Sequence, residues 1–157
     1  MPNRRIVAYK LKNMSKSIII IPSRLEAKRL PNKPLLRINN IPMIIHAMER
    51  AKESEIGDVI IATPDKEILD LVKKNSGNAI LTNKDHPTGT DRVYEALKKF
   101  PDDEINIVIN LQGDMPNLDP KSIINLNNLM RKSNFKIGTL ASSLRKNEFY
   151  DNNVVKV

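Results

Sequence analysis

Cysteine is absent from the chain. That excludes a disulfide-stapled scaffold, a thiolate zinc site and a cysteine nucleophile. Histidine occurs only twice, too seldom for a histidine-rich metal centre. Aromatic residues make up 4% and tryptophan is missing, so the stacking platforms of a single-strand nucleic-acid binder are not supplied. No apolar run nears the roughly 20 residues that a helix needs to cross a bilayer. What is left is a chain of 157 residues, 40% of them apolar, the size of one ordinary domain with one real core.

The net charge of +8 is unevenly placed. Arg4, Arg5, Lys10, Lys12 and Lys16 fall within the first sixteen residues, which hold no acid, and the rest of the chain is only mildly basic. This distribution argues against a nucleic-acid partner. Residues 1–16 therefore read as a basic, unstructured N-terminal extension. They contain no apolar stretch of the kind a secretory signal needs, and Met14 offers a second possible start. Residues 17–157 read as one folded domain.

Along that domain, strand and helix signals alternate. Ser17–Ile21 is a β-branched run closed by Pro22, the pattern of a strand buried on both faces. Met43, Ile44, Ala47, Met48 and Ala51 recur at helical spacing over Pro42–Ser54, with Pro42 near the first turn. Asp58–Ala62 reads as a buried strand. Asp65–Asn75 reads as a helix with Gly77 just past its end. Ala79–Leu81, Ile105–Leu111 and Lys136–Leu144 read as strands, and Asp91–Phe100 and Pro120–Lys132 as helices. The closing NNVVKV, residues 152–157, reads as one more strand. This order predicts an open, mostly parallel sheet with helices on both faces. In such sheets a ligand sits at the carboxyl ends of the strands, where strand order reverses.

Three loops carry the polar groups that could do chemistry. Ile21–Leu35, IPSRLEAKRLPNKPL, holds Arg24, Lys28, Arg29 and Lys33 after a buried strand. Its prolines limit the freedom of the cations, and guanidinium and ammonium groups are the usual grips for phosphate. It has no glycine, so it is not a Walker-type loop. A solvated basic loop is the plainer reading of the same residues. Leu111–Pro116, LQGDMP, sets Asp114 directly after a strand, where a carboxylate can hold Mg²⁺ against phosphates, although Gly-Asp is also ordinary turn chemistry. Asp85–Arg92, DHPTGTDR, places Thr90 as an N-cap for a helix starting at Asp91, with backbone N–H groups open to an anion or a base. His86 reads as a surface-loop residue and His46 as a packing or capping one.

Taken together, these segments resemble the 3-deoxy-manno-octulosonate (Kdo) cytidylyltransferases, the CMP-Kdo synthetases. The resemblance runs from about Lys16 to Val157. It is carried by IPSRLEAKRLPNKPL, IPMIIHAMERAKES, IIATPD, DHPTGTDR, INLQGD and NNVVKV. CMP-sugar synthetases for sialic acid share the nucleotide loop but usually differ in DHPTGTDR. The resemblance implies a Rossmann-like nucleotidyltransferase sheet, CTP and Kdo as substrates, Mg²⁺ as cofactor, a homodimer and a cytoplasmic enzyme of lipopolysaccharide biosynthesis. It implies no nucleic acid and no membrane. By the same resemblance Arg24 and Lys33 neutralise the triphosphate and Asp114 binds the metal. Thr90 and Arg92 shape the nucleotide or sugar pocket, Arg29 contacts substrate, and Gln112 lies near the sugar acid.

Two departures stand out. Met115 occupies a place where the family usually has an acid after the aspartate. The match also covers only the N-terminal half or somewhat more of a usual member, so the sheet is expected to be incomplete at its C-terminus. The absent part would supply a second metal ligand, much of the sugar pocket and most of the dimer interface. The alternatives are a truncated remnant that binds nucleotide weakly, and a cytidylyltransferase for another acidic sugar.

Overall fold

The structure, a computed structural model, describes residues 7–10, 16–26, 30–145 and 148–151. Strand β2 (Lys16–Pro22) is the centre of the molecule. Ile18, Ile19, Ile20 and Ile21 are all fully buried, because successive side chains point to opposite faces and both faces are covered. Strand β5 (Gly57–Thr63) lies parallel to β2 on one side, with β6 (Asn78–Leu81) parallel beyond it. Strand β7 (Ile105–Asn110) lies parallel to β2 on the other side. The expected alternation of strands and helices is borne out, and so is the mostly parallel sheet.

Strand β1 (Val7–Lys10) differs from expectation. It inserts antiparallel between β7 and β8 (Ile137–Thr139), giving the order β6-β5-β2-β7-β1-β8. The sequence reading places these four residues in an unstructured extension. A short strand's stability comes from its neighbours more than from its own propensity, and both neighbours of β1 are remote in sequence. β8 is also much shorter than the expected Lys136–Leu144. The last expected strand, NNVVKV, lies outside the described residues.

Among the described residues, four α-helices cover the sheet. α1 (Met43–Lys52), α2 (Lys66–Lys74) and α4 (Pro120–Lys132) pack on one face. Ile44, Met48, Ile68, Val72, Ile123 and Leu126 there meet Ile19, Ile21, Ile61 and Ile109. α3 (Gly89–Lys99) covers the other face, where Val93 and Ala96 meet Ile18, Ile20, Ile60 and Val108. The buried Ser17 hydroxyl donates to Asn127 Oδ1 at 2.7 Å and pins α4 to the central strand.

Two local details refine the sequence reading. A hairpin not anticipated from sequence, β3 (Arg37–Ile38) and β4 (Ile41–Pro42), turns through Asn39 and Asn40, both with positive φ. Asparagine tolerates that conformation, and it is the one a two-residue hairpin turn demands. His46 Nε2 lies 2.9 Å from the Ile38 carbonyl and ties α1 to this hairpin, a packing role as expected. At the end of α2, Ser76 takes the left-handed conformation, not Gly77. Gly77 is required for space instead, since a Cβ there would stand 2.3 Å from Met48 Sδ.

Candidate nucleotide site at the carboxyl edge of the sheet

Strand order departs in opposite directions from β2, to β5 on one side and β7 on the other. The crevice beyond the carboxyl ends of β2 and β7 is where an open α/β sheet takes a ligand. A cleft of about 220 Å³ opens there, lined by Pro22, Ser23, Arg24, His86, Thr88, Gly89, Arg92 and Gln112. A smaller recess of about 120 Å³ shares Arg24 and is walled by Asp65 and Lys84.

The first loop is braced from the neighbouring strand. Ser23 N–H donates to the Ala62 carbonyl at 2.9 Å, and Leu25 N–H donates to Asp65 Oδ2 at 2.8 Å. These bonds fix the backbone on both sides of Arg24, whose side chain is exposed to the cleft. The IIATPD segment thus reaches the site through Asp65, which holds the loop instead of capping α2. Further on, Asn32 takes a left-handed turn into a short 3₁₀ segment, Lys33–Leu35. There Lys33 Nζ forms an ion pair with Asp114, 81 residues away in sequence. Each side chain is 28% exposed, so the pair is partly open to solvent. Gly113, just before Asp114, is closely packed: a Cβ there would stand 3.1 Å from Ile44 Cδ1. Met115, half-buried, packs against the apolar core.

The third loop is built differently from the sequence reading. α3 begins at Gly89, and its N-cap is Thr88, not Thr90. Thr88 Oγ1 accepts from Asp91 N–H at 3.2 Å and Asp91 Oδ2 accepts from Thr88 N–H at 3.1 Å, a reciprocal capping box. Thr90 sits in the first turn, exposed, with Asn110 Nδ2 at 3.5 Å from its hydroxyl. Arg92 is only 3% exposed. Its guanidinium donates to Thr82 Oγ1 at 2.5 Å, to the Asn83 carbonyl at 2.8 Å and to the Lys84 carbonyl at 3.3 Å. Burial first, and the nearby Arg24 guanidinium second, pull the Arg92 pKa below the usual arginine value. Two guanidinium groups beside one cleft, Arg24 open to it and Arg92 buried behind it, create a positive potential suited to an anion.

The structure therefore brings Arg24, Arg92 and Gln112 to one cleft and pairs Lys33 with Asp114 beside it. Thr90 lies close by on α3 but is not among the cleft-lining residues. Arg29 lies outside the described residues. Sequence reasoning missed His86, which is not a free surface residue: it lines the cleft and pairs with Glu95. Its partner Glu95 lies nine residues on, in α3, and no local pattern around His86 marks the pairing.

No group of three or more His, Cys, Asp or Glu side chains able to hold a metal exists among the described residues. Asp114 is a single carboxylate beside an ammonium. That donor set fits Mg²⁺, which is commonly held by one or two carboxylates with substrate phosphates and water completing the shell. It does not fit a metal bound by protein alone.

The profile of the cytidylyltransferase family matches residues 18–157. The chain belongs to the cytidylyltransferase family. Its relatives include the 3-deoxy-manno-octulosonate cytidylyltransferase of Wigglesworthia glossinidia brevipalpis, 44% identical over 141 residues, which cover 89% of this chain and 58% of that protein. The enzyme of the same name from Rhodopseudomonas palustris (strain BisB18) is 41% identical over 145 residues, with 91% of this chain and 59% of that protein covered. Among solved structures, a CMP:2-keto-3-deoxy-manno-octonic acid synthetase complexed with CTP superposes with a TM-score of 0.72 at 42% identity, over 76% of this chain and 48% of the other. A cytidylyltransferase from Leptospira borgpetersenii serovar Hardjo-bovis (strain JB197) gives 0.63 at 25% identity, over 78% and 51%. The resemblance read from the motifs, and the nucleotidyltransferase α/β fold it implied, are borne out. This cytidylyltransferase chain spans somewhat under three fifths of the length of these two curated relatives.

Proposed function

We propose that this cytidylyltransferase chain binds CTP and takes part in transferring CMP to Kdo with release of pyrophosphate. The observation that carries the reading is the meeting of Lys33 and Asp114 beside a cleft lined by Arg24, Arg92 and Gln112. In the reaction the anomeric hydroxyl oxygen of Kdo attacks the α-phosphorus of CTP. One P–O bond forms, the bond to the β-phosphate oxygen breaks, and the hydroxyl proton is released. The obstacle is electrostatic, since a negatively charged phosphate must be approached and negative charge builds on the departing pyrophosphate.

Arg24 and Lys33 answer that obstacle as fixed cations toward the phosphate chain. Arg92 acts from behind, bracing residues 82–84 so that the cleft keeps its shape. Thr90 and Arg92 shape the nucleotide pocket, Gln112 faces the sugar acid, and Arg29 adds a further substrate contact. Asp114 would hold Mg²⁺ together with the phosphates. When bound, that ion supplies charge neutralisation of the triphosphate. No covalent nucleophile is needed, and positioning supplies much of the remaining acceleration. The same reading makes the protein a cytoplasmic, homodimeric enzyme that serves lipopolysaccharide biosynthesis. No helix among the described residues is long and apolar enough to cross a membrane.

The deciding experiment measures pyrophosphate release from CTP with Mg²⁺ and Kdo, and in parallel with sialic acid. Release with Kdo alone supports the reading. Release only with sialic acid moves the substrate to another acidic sugar. Failure to bind CTP in a separate titration overturns the reading.

A further inference from the structure

One face of α3 builds the wall of the cleft. Arg92, Glu95 and Lys99 follow at spacings of three and four, which aligns them on one side of the helix. Arg92 takes the Thr82 hydroxyl and the carbonyls of Asn83 and Lys84. Lys99 Nζ donates to the Leu81 carbonyl at 2.8 Å. Glu95 does the most varied work. Its Oε2 accepts from Asn83 N–H at 2.8 Å and pairs with His86 Nε2, while its Oε1 takes Lys99 Nζ at 2.7 Å. A single carboxylate thus joins the start of the loop, a cleft-lining ring and the helix that carries the brace. Its side chain is 21% exposed and His86 is 18% exposed, so neither is spread on the open surface.

We propose that Glu95 is a positioning residue for the nucleoside part of the ligand: it holds His86 and Asn83 so that the 82–89 wall of the cleft is formed before nucleotide arrives. The inference rests on the CTP reading above and deepens it. His86, Thr88 and Gly89 of the wall line the cleft, whereas Lys33 and Asp114 are not among its lining residues. Losing the tether should therefore weaken contacts to the base and ribose and spare contacts to the outer phosphates. Pre-formed walls matter because ordering a loop at the moment of binding subtracts from affinity.

The test is Glu95→Gln, which keeps the size and removes the charge, with His86→Phe as a second variant that keeps a ring but deletes both nitrogens. Calorimetric titrations with CTP, CMP and inorganic tripolyphosphate separate the two halves of the ligand. The expected result is a loss of about tenfold for CTP and for CMP alike, the scale of one charge-assisted hydrogen bond. Tripolyphosphate affinity should stay within about twofold, within the error expected of an uncoupled site. The double variant should lose no more than either single one, because both act through one contact. Unchanged CMP affinity overturns the proposal. So does an equal loss for tripolyphosphate, which marks a general loosening of the fold.

Amide hydrogen exchange of Asn83 in the ligand-free chain provides an independent readout. It should speed up in Glu95→Gln while β2 exchange is unchanged, and an unchanged Asn83 rate overturns the tether. A wild-type chain that binds tripolyphosphate but neither CTP nor CMP overturns the functional reading, whereas wild-type binding with an indifferent Glu95→Gln overturns only this inference.

Discussion

Lys33→Ala offers a prediction with two opposite signs. The Lys33 ammonium and the Asp114 carboxylate are partners in the ligand-free chain, each 28% exposed. A pair so open to water contributes about 0.2–1 kcal/mol to folding, so the melting temperature of the variant should fall by only a few degrees. Ligand binding should respond far more strongly. If Lys33 turns to the outer phosphates when CTP enters, its loss removes a charge-assisted contact of about 1.5–3 kcal/mol. That is about 10- to 150-fold in affinity for CTP. CMP has no outer phosphates and should change less than about twofold, as expected when a removed contact is not shared.

Without nucleotide the sign reverses. Removing the ammonium takes one positive charge away from Asp114, and a divalent cation should bind more tightly than to the wild type, by about the same 0.2–1 kcal/mol. Titration with CTP and CMP in Mg²⁺ buffer, and Mn²⁺ titration followed by electron paramagnetic resonance, measure the two arms. Equal losses for CTP and CMP would refute the assignment of Lys33 to the phosphates. Weaker Mn²⁺ binding in the variant would refute competition between the Lys33 ammonium and a divalent cation for Asp114.

Three further outcomes follow from the same geometry. Asp114→Asn should abolish the Mg²⁺ dependence of CTP binding while leaving the fold intact, read as calorimetric titrations with and without the ion. Arg92→Ala should destabilise the chain by about 2–4 kcal/mol in a denaturant titration, because it empties a buried site and strips partners from the Thr82 hydroxyl and two carbonyls. The hydrogen bond from Lys99, and next that from His86, hold the Glu95 carboxyl down to about 2 from an ordinary 4.5. A carboxyl depressed in the folded state stabilises fully above pH 4.5, and that contribution drains away as the pH falls from there through about 2. Glu95→Gln should therefore flatten the acid limb of the stability–pH curve over that interval. An unchanged limb would mean that the Glu95 pairings are not maintained in solution.

Much of the fold was legible because its causes are local. The runs SIIII, DVIIA and INIVINL announce buried strands through β-branched composition, and each forms within a residue of its expected bounds, since a strand covered on both faces needs no polar alternation. The Pro120–Lys132 helix matches its expected ends, set by the Asp119 cap and Pro120. Thr88 and Asp91 carried a legible capping box that the attribution to Thr90 overlooked. His86 was misjudged for a different reason: a lone histidine in a polar loop has no local mark of burial, and its partner becomes visible only when α3 folds back along the loop.

The sequence alone determined the four parallel strands and the four helices, which loops leave the carboxyl ends of those strands, and which charges those loops carry. All of that depends on side-chain chemistry within a few residues. Tertiary structure decided what meets what. Only the parallel pairing of β2 with β7 sets Lys33 against Asp114 across 81 positions. The insertion of β1 between β7 and β8 likewise draws on neighbours about a hundred residues and more downstream. Contacts at such separations are selected by the burial of the whole sheet and not by any window of the chain, and so the cleft is a property of the packed molecule.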